Sequence, residues 1–398
     1  MKAVRAAFFA SLALLPLAGL VTGARILYLL AAFEAFLLVV SAALGLWAIL
    51  TFTFQQAVSA ESTERGRPVR LALRVLNEKP FPYALLRLRL STADPCEDRR
   101  VDLNLPPRSE RSFDLVLECP HRGLYPIGIT VIDFVDLFGL LRLPFDLRLL
   151  SWYRAPQLLV LPRAPDLPRL PLRTLDSKAA ARRAAPSEDP LEPFSDLRAY
   201  RPGDSRRLIH WKASLRQRAL LSRRFDPVEE PRLRILVDLA PPGGGREEAA
   251  QAEDALCEAA AAVLRHLLRQ NRPVEVAAYG RTPVRFAARG PKDFPALRRW
   301  LATAAFDAPT PLDAQVAQET ASLREARAFL VLTARPDGAG LAALRAIRDR
   351  LSVHALVAGP AQDDGRTREA AADLRRAGIP AWALRYGEDP ADVLGAEP

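Results

Sequence analysis

Side chains able to do covalent or acid–base chemistry are sparse in this chain: 398 residues contain four histidines and three cysteines. His210 and Asp204 are the pair that would suit a hydrolase, with the imidazole as base and the carboxylate orienting it. Six residues separate them, which on a helix places them on different turns. Neither a nucleophile elbow nor a metal-ligand cluster accompanies them. A histidine between Ile209 and Trp211 therefore reads as structural, and the chain reads as a non-enzyme with no catalytic residues and no cofactor. Cys96, Cys119 and Cys257 lack the spacing of a zinc site and are odd in number. Unpaired thiols in a reducing compartment are the simplest account, with a Cys96–Cys119 disulfide as the alternative.

The charge is the second chemical feature. The formal net charge is +10. Residues 198–224 carry nine bases (Arg198, Arg201, Arg206, Arg207, Lys212, Arg216, Arg218, Arg223, Arg224) against Asp204 alone. Residues 1–60 add Lys2, Arg5 and Arg25 against Glu34, and the remainder is neutral. One segment thus carries the basic excess. Within it, Arg201-Pro202-Gly203 makes a turn, and Asp204 or Ser205 can cap a following helix. On that helix Leu208, Trp211 and Leu215 form one apolar stripe that calls for burial, with Arg206, Arg207 and Lys212 projecting elsewhere. Anionic lipid or nucleic acid is the alternative partner of such a cluster. No nucleic-acid-binding fold surrounds it, so nucleic acid is not expected.

The elements that must carry this segment follow from composition. At roughly 150 residues per domain the length suggests two or three domains. With 49% hydrophobic and 26% charged residues, the chain is neither disordered nor a disulfide scaffold. Between Arg5 and Arg25, and again from Ile26 to Phe54 with Glu34 as the one charge, the sequence is apolar. A bilayer core takes about 20 such residues per helix, which predicts a transmembrane hairpin over residues 1–56 with spans near 6–23 and 32–54. The rival for the first run is a cleavable signal peptide, against which the second run argues. Lys2 and Arg5 before the hairpin, and Arg65, Arg67 and Arg70 after it, place the N-terminus and residues 57–398 on the cytoplasmic side of the membrane. Glu34 lies near the turn on this reading, within reach of the interface or Arg25.

From Pro68 the apolar period becomes two. About seven short strands with Pro and Asn turns predict an antiparallel β-sandwich of immunoglobulin or fibronectin type over 57–162. Residues 162–193 hold seven of the 34 prolines, which reads as an extended connector over 163–195. The basic segment occupies 196–230. From 231 to 398, apolar strands alternate with helices of 10–15 residues, as in an α/β doubly wound, mainly parallel sheet.

The run Arg198-x-Tyr200-Arg201-Pro202-Gly203-Asp204-x-Arg206-Arg207-x-x-His210-Trp211-Lys212 resembles the signature of the domain-of-unknown-function 58 family of bacterial membrane proteins. His121-Arg122-Gly123-Leu124-Tyr125-Pro126-Ile127-Gly128 resembles the family's R-G-x-Y-x-x-G element. Asp136-Leu137-Phe138-Gly139-Leu140 resembles its D-P-F-G-L element, with leucine in place of proline. The resemblance implies a von Willebrand factor A-like C-terminal domain and a MoxR-type AAA+ ATPase as partner, in the assembly or maturation of other proteins. The basic excess falls on these signature residues, which reads as one contact surface, for an acidic partner or for the domain's own carboxylates.

Domains of the von Willebrand A type commonly hold a divalent ion through D-x-S-x-S, because Mg²⁺ favours carboxylate and hydroxyl oxygens. Here that stretch is Asp238-Leu239-Ala240-Pro241-Pro242. The aspartate is kept and both hydroxyls are missing. Thr310 could supply the later threonine, but Ala334 stands where a second aspartate belongs. No metal is expected, and Asp238 is the remnant of a degenerate site, free to cap a turn or meet an arginine of the basic segment.

Overall fold

The first two elements are helices α1 (Lys2–Thr22) and α2 (Arg25–Leu50), joined through Gly23 and Ala24. By length and composition both can cross a bilayer. They expose Leu14, Leu17, Leu29, Phe33, Phe36 and Val39, an apolar surface of the kind that water does not tolerate. The computed structural model describes residues 2–93, 99–136, 138–151, 153–172, 196–200, 209–217, 219–224, 233–322, 328–335, 337–363 and 365–398. Cys96, Leu137 and Arg201–Leu208 therefore lie outside the described residues.

Two details of the hairpin differ from expectation. The second helix starts at Arg25 and ends at Leu50, whereas Phe54 belongs to a strand; a half-buried strand with alternating phenylalanines looks like a continued apolar run. Neither carboxylate oxygen of Glu34 is bonded to Arg25. Its Oε1 accepts from Ser11 Oγ at 2.9 Å, across to α1, and its Oε2 is buried without a partner. The carboxyl thus belongs to the helix–helix contact, because nine residues along α2 carry it about 13 Å from the turn.

The chain divides into two units at Leu161/Pro162. In the first, β1 (Thr53–Val58), β3 (Val69–Asn77) and β6 (Ser109–Leu117) form one antiparallel sheet. A second has the order β5 (Arg99–Leu105), β4 (Tyr83–Ser91), β8 (Gly128–Val135), β9 (Arg142–Asp146). Alternation buries Leu71, Leu73 and Val75 of β3 against Leu86, Leu88 and Leu90 of β4 in one core. A third small sheet joins β2 (Ser62–Glu64), β10 (Gln157–Leu161) and β7 (Gly123–Pro126). The strand run around Tyr125 and Ile132 breaks at Gly128, whose φ is +122° and whose added Cβ would lie 2.4 Å from Gln56 Oε1. Only glycine lets the chain pass there from one sheet to another.

The second unit begins with residues expected to be connector. Ala164, Leu167, Leu170 and Leu172 are buried in its core, and Arg163 Nε pairs with the buried Glu258 at 2.9 Å. Proline spacing marked an extended chain correctly, but every third residue or so is apolar, and that stripe packs inward. Residues 173–195 lie outside the described residues.

Its six-stranded sheet has the order β15 (Pro283–Ala288), β14 (Val274–Tyr279), β13 (Leu233–Val237), β16 (Ala328–Thr333), β17 (Ser352–Gly359), β18 (Ala381–Arg385). All pairs are parallel except β14–β15. Separate cores fill the two faces. One takes α4 (Arg246–Arg269), α5 (Phe294–Thr303) and Leu394 of α9 (Pro390–Gly395). The other takes α6 (Leu312–Ser322), α7 (Gly338–Ile347) and α8 (Arg366–Arg376). Helix α6 is also tied to the sheet through fully buried Glu319, which accepts from Arg234 Nη1 at 2.8 Å, Arg285 Nη2 at 2.6 Å and the Tyr279 hydroxyl. A two-stranded ribbon, β11 (Asp196–Ala199) with β12 (Leu221–Arg224), flanks α3 (Trp211–Gln217).

Candidate functional site

The signature segment folds around a buried serine. Ser214 Oγ donates to His210 O at 3.0 Å and accepts from Leu221 N at 2.9 Å, so one hydroxyl joins the start of α3 to β12. His210 N donates to Leu221 O at 2.9 Å, and Tyr200 N donates to Leu220 O at 2.8 Å. His210 Nδ1 accepts from Ala213 N at 3.1 Å. The imidazole therefore caps the N-terminus of α3, the structural role anticipated for it. Asp204, its proposed partner, lies outside the described residues, as do Arg201, Pro202, Gly203, Arg206 and Arg207. Arg198 is placed on β11 opposite Ser222.

The helix that carries Trp211 and Leu215 begins at Trp211, with Ile209 in a strand bridge before it, and Asp204 and Ser205, expected as its caps, lie outside the described residues. One expectation fails: the described part of the apolar stripe is not buried. Trp211 is 60% exposed, Leu215 78% and Leu220 48%. The helical period was right and its phase wrong. Ser214 satisfies both its donor and its acceptor, so that face can turn inward, and Trp211 and Leu215 are left on the adjoining outer face beside exposed Lys212 and Arg216.

Asp238 sits at the carboxyl end of β13, beside β16, where the strand order of the sheet reverses and doubly wound folds bind ligands. It is 1% exposed. Its Oδ2 accepts from Thr333 Oγ1 at 2.8 Å. Its Oδ1 accepts from Ala240 N at 3.0 Å and from Gln315 Nε2 at 3.2 Å. Burial pushes the carboxyl above its ordinary range, and the charge of Asp337 adds to that. Of the two roles expected for Asp238, capping a turn is the one seen, through Ala240 N, and its other two donors are neutral as well. Gln315 Nε2 also donates to Thr310 O at 2.8 Å. The residues do not fit a divalent ion: both carboxylate oxygens are engaged by hydrogen-bond donors, and Ala240, Pro242 and Ala334 offer no side-chain oxygen. Thr333 and Gln315 were missed in the sequence. A lone threonine ending the apolar run Ala328–Leu332 was the available signal.

Next to this network a cleft of about 480 Å³ opens at the ends of β16 and β17. Arg335, Arg366, Asp363, Glu369 and Asp373 line it, with Gly243 and Gly244 opposite. A glycine loop leading into a helix is a phosphate cradle when its N–H groups are open. Here Glu248 Oε2 accepts from Gly245 N at 2.9 Å and lies over Gly244. The chain's own carboxylate takes the anion position.

Residues 196–357 match the family described as "Protein of unknown function DUF58". This segment is a DUF58 domain. The match begins at β11, with the signature segment, and ends within β17; the hairpin and the β-rich unit lie outside it. No curated protein matches the chain. Among solved structures, the sporulation control protein Spo0M from Bacillus subtilis is 13% identical with a TM-score of 0.17, over 28% of this chain and 50% of that one. Cwp6 from Clostridium difficile is 10% identical with a TM-score of 0.18, over 85% of this chain and 38% of that one. The chain thus spans half of Spo0M and less of Cwp6, and likeness at this level bears on neither fold nor function.

Proposed function

We propose that this DUF58 protein is a membrane-anchored, non-enzymatic binding component. Its helical hairpin holds a sandwich of immunoglobulin or fibronectin type and a von Willebrand A-like domain on the cytoplasmic side of a bacterial inner membrane. The sheet orders β1-β3-β6 and β5-β4-β8-β9 support the first fold name, and the antiparallel β15 at the edge of an otherwise parallel sheet supports the second. The observation that carries the functional reading is the closure of Asp238. At the position where the fold would bind a reactive ion or substrate, Thr333 and Gln315 are hydrogen-bonded to the carboxylate, and the candidate base, His210, caps a helix.

The partner proposed on family resemblance is a MoxR-type AAA+ ATPase, contacted through the signature segment. Detergent pull-down with mass spectrometry tests this, comparing wild type with Arg206→Glu/Arg207→Glu. An AAA+ ATPase retained by wild type and lost from the variant is the expected result; its absence from both removes the partnership. A second reading is favoured by exposed Trp211, Leu215 and Leu220 beside Lys212 and Arg216, a pattern suited to an anionic lipid surface. Salt-insensitive or absent binding of the detergent-solubilised protein to phosphatidylglycerol vesicles would eliminate it.

A further inference from the structure

The junction between α2 and the β-rich unit carries a ring of features that belong at a membrane–water boundary. Trp47 and Phe138 are each 49% exposed, Leu46 55% and Leu50 74%. Trp47 packs edge-on against Phe81, with centroids 5.2 Å apart. Helix geometry supplies a ruler. From Arg25 to Trp47, α2 rises about 33 Å at 1.5 Å per residue, against a hydrocarbon core of about 30 Å. With the Gly23 turn at one boundary, Trp47 falls at the other, where tryptophan collects.

Two loops of the β-rich unit are fixed to the hairpin on either side of Trp47, one through Ser41 and one through Thr51. The first is the Asp136–Leu140 turn. Asp136 Oδ1 accepts from Leu141 N at 2.8 Å, and Gly139, at φ +71°, closes the turn through Gly139 N to Asp136 O at 3.1 Å. Ser41 Oγ donates to Asp136 Oδ2, and Arg5 Nε donates to Gly139 O at 2.6 Å. Both helices of the hairpin therefore hold this turn, and Phe138 stands at its tip. The second is the turn over residues 78–82, shaped by Asn77 Nδ2 donating to Phe81 O at 3.0 Å. Buried Lys79 donates from Nζ to Thr51 O at 3.2 Å and to the Tyr83 hydroxyl. It places a cation against the carbonyl end of α2, which favours positive charge. Burial pulls the Lys79 ammonium down and pushes Tyr83 up to about 12.

We propose that the turns at 78–82 and 136–140 are immersed in the bilayer interface, so that the β-rich unit is seated in its own membrane through Phe81, Phe138 and Trp47. The occupant of this surface is the headgroup and upper acyl region of the bilayer that the hairpin crosses, and the proposal rests on that crossing. Continuity selects it: Leu44, Gly45 and Ala48 of α2 line one pocket with Phe81 and Phe138, Trp47 packs on Phe81, and Arg5 bonds the same turn with an aliphatic stem that can lie along the acyl region. A consequence is that the D-P-F-G-L-like element acts as a membrane seat for the unit.

Nitroxide labels and power-saturation EPR test this in the full chain reconstituted into phosphatidylcholine vesicles. Cys96→Ser removes the cysteine outside the described residues, and Cys119 and Cys257 are buried and escape labelling. Labels go at Phe138→Cys and, as a second site in the other turn, exposed Pro80→Cys. Phe33→Cys reports the bilayer interior. Val116→Cys, 52% exposed and paired with Arg70, lies about 23 Å along the strands from residue 77 and reports water. The expected result at 138 and 80 is gained oxygen accessibility and lost nickel-chelate accessibility relative to 116. Chelate access at both equal to that at 116, with 33 shielded, overturns the seat and leaves the span. Chelate access at 33 as well overturns the span, and the seat with it.

Discussion

Two carboxylates of the α/β unit are equally buried and differently treated. Glu319 is 0% exposed and Asp238 1%. Glu319 meets two guanidinium groups and a tyrosine hydroxyl, so it is compensated by full charges. Asp238 meets a threonine, a glutamine amide and a backbone N–H, all neutral. The first arrangement staples a helix to a sheet, and its ionic partners make it costly to disturb. The second leaves a carboxyl that burial has destabilised in its charged form, at the end of the sheet where such folds do their binding. The difference separates a charge-compensated staple from a carboxyl closed over by neutral donors.

The comparison can be broken from either side. Arg234→Met strands part of the charge on Glu319 and should cost about 3 kcal/mol, read as faster hydrogen exchange of β13 and α6 amides in the full-length protein. Adding Glu319→Leu should recover part of that loss, since the uncompensated charge goes with it. Thr333→Val removes the donor to Asp238 Oδ2 and should cost about 1–3 kcal/mol at neutral pH, by the same measurement on β13 and β16.

Asp238→Asn should act in the opposite direction. The folded-state pKa of Asp238 is raised, so its stabilising contribution is complete below the unfolded value and is lost as pH rises through the folded one. At neutral pH burial therefore makes the charged form a liability. The asparagine variant should gain on the order of 1 kcal/mol at pH 7 and nothing at pH 3, provided the amide finds the same partners. The smallest effect is reserved for the exposed stripe. Trp211→Ser should change stability by less than about 0.5 kcal/mol, because the side chain is 60% exposed. A larger loss would mean that the indole is covered and that the inward phase was right after all.

Local pattern went far in some places and stopped short in others. Two apolar runs announced two helices, and period-two stretches announced the strands of the β-rich unit, because burial on one face imposes its own spacing. The alternation from Leu233 to Arg385 announced a doubly wound sheet. What the pattern could not supply was phase and partner. Nothing local tells whether Trp211 or Ser214 faces inward, since that depends on Leu221 offering an N–H at the right place. The core role of Ala164, Leu167 and Leu170 stayed hidden behind prolines, because a stripe on an extended chain signals burial only once a helix such as α4 lies beneath it.

Order of residues along the chain thus determined the basic segment, the two long apolar helices and the change from period-two strands to strands alternating with helices, because each is a matter of which side chain stands where. Tertiary structure alone decided that Glu34 bonds Ser11 across the hairpin, that His210 caps a helix, and that Gln315 and Thr333 close over Asp238. Each of these joins groups whose meeting is set by packing geometry. A hydrogen bond needs its partner within about 3 Å, a distance to which residues 77 and 95 positions apart are brought only by the completed sheet.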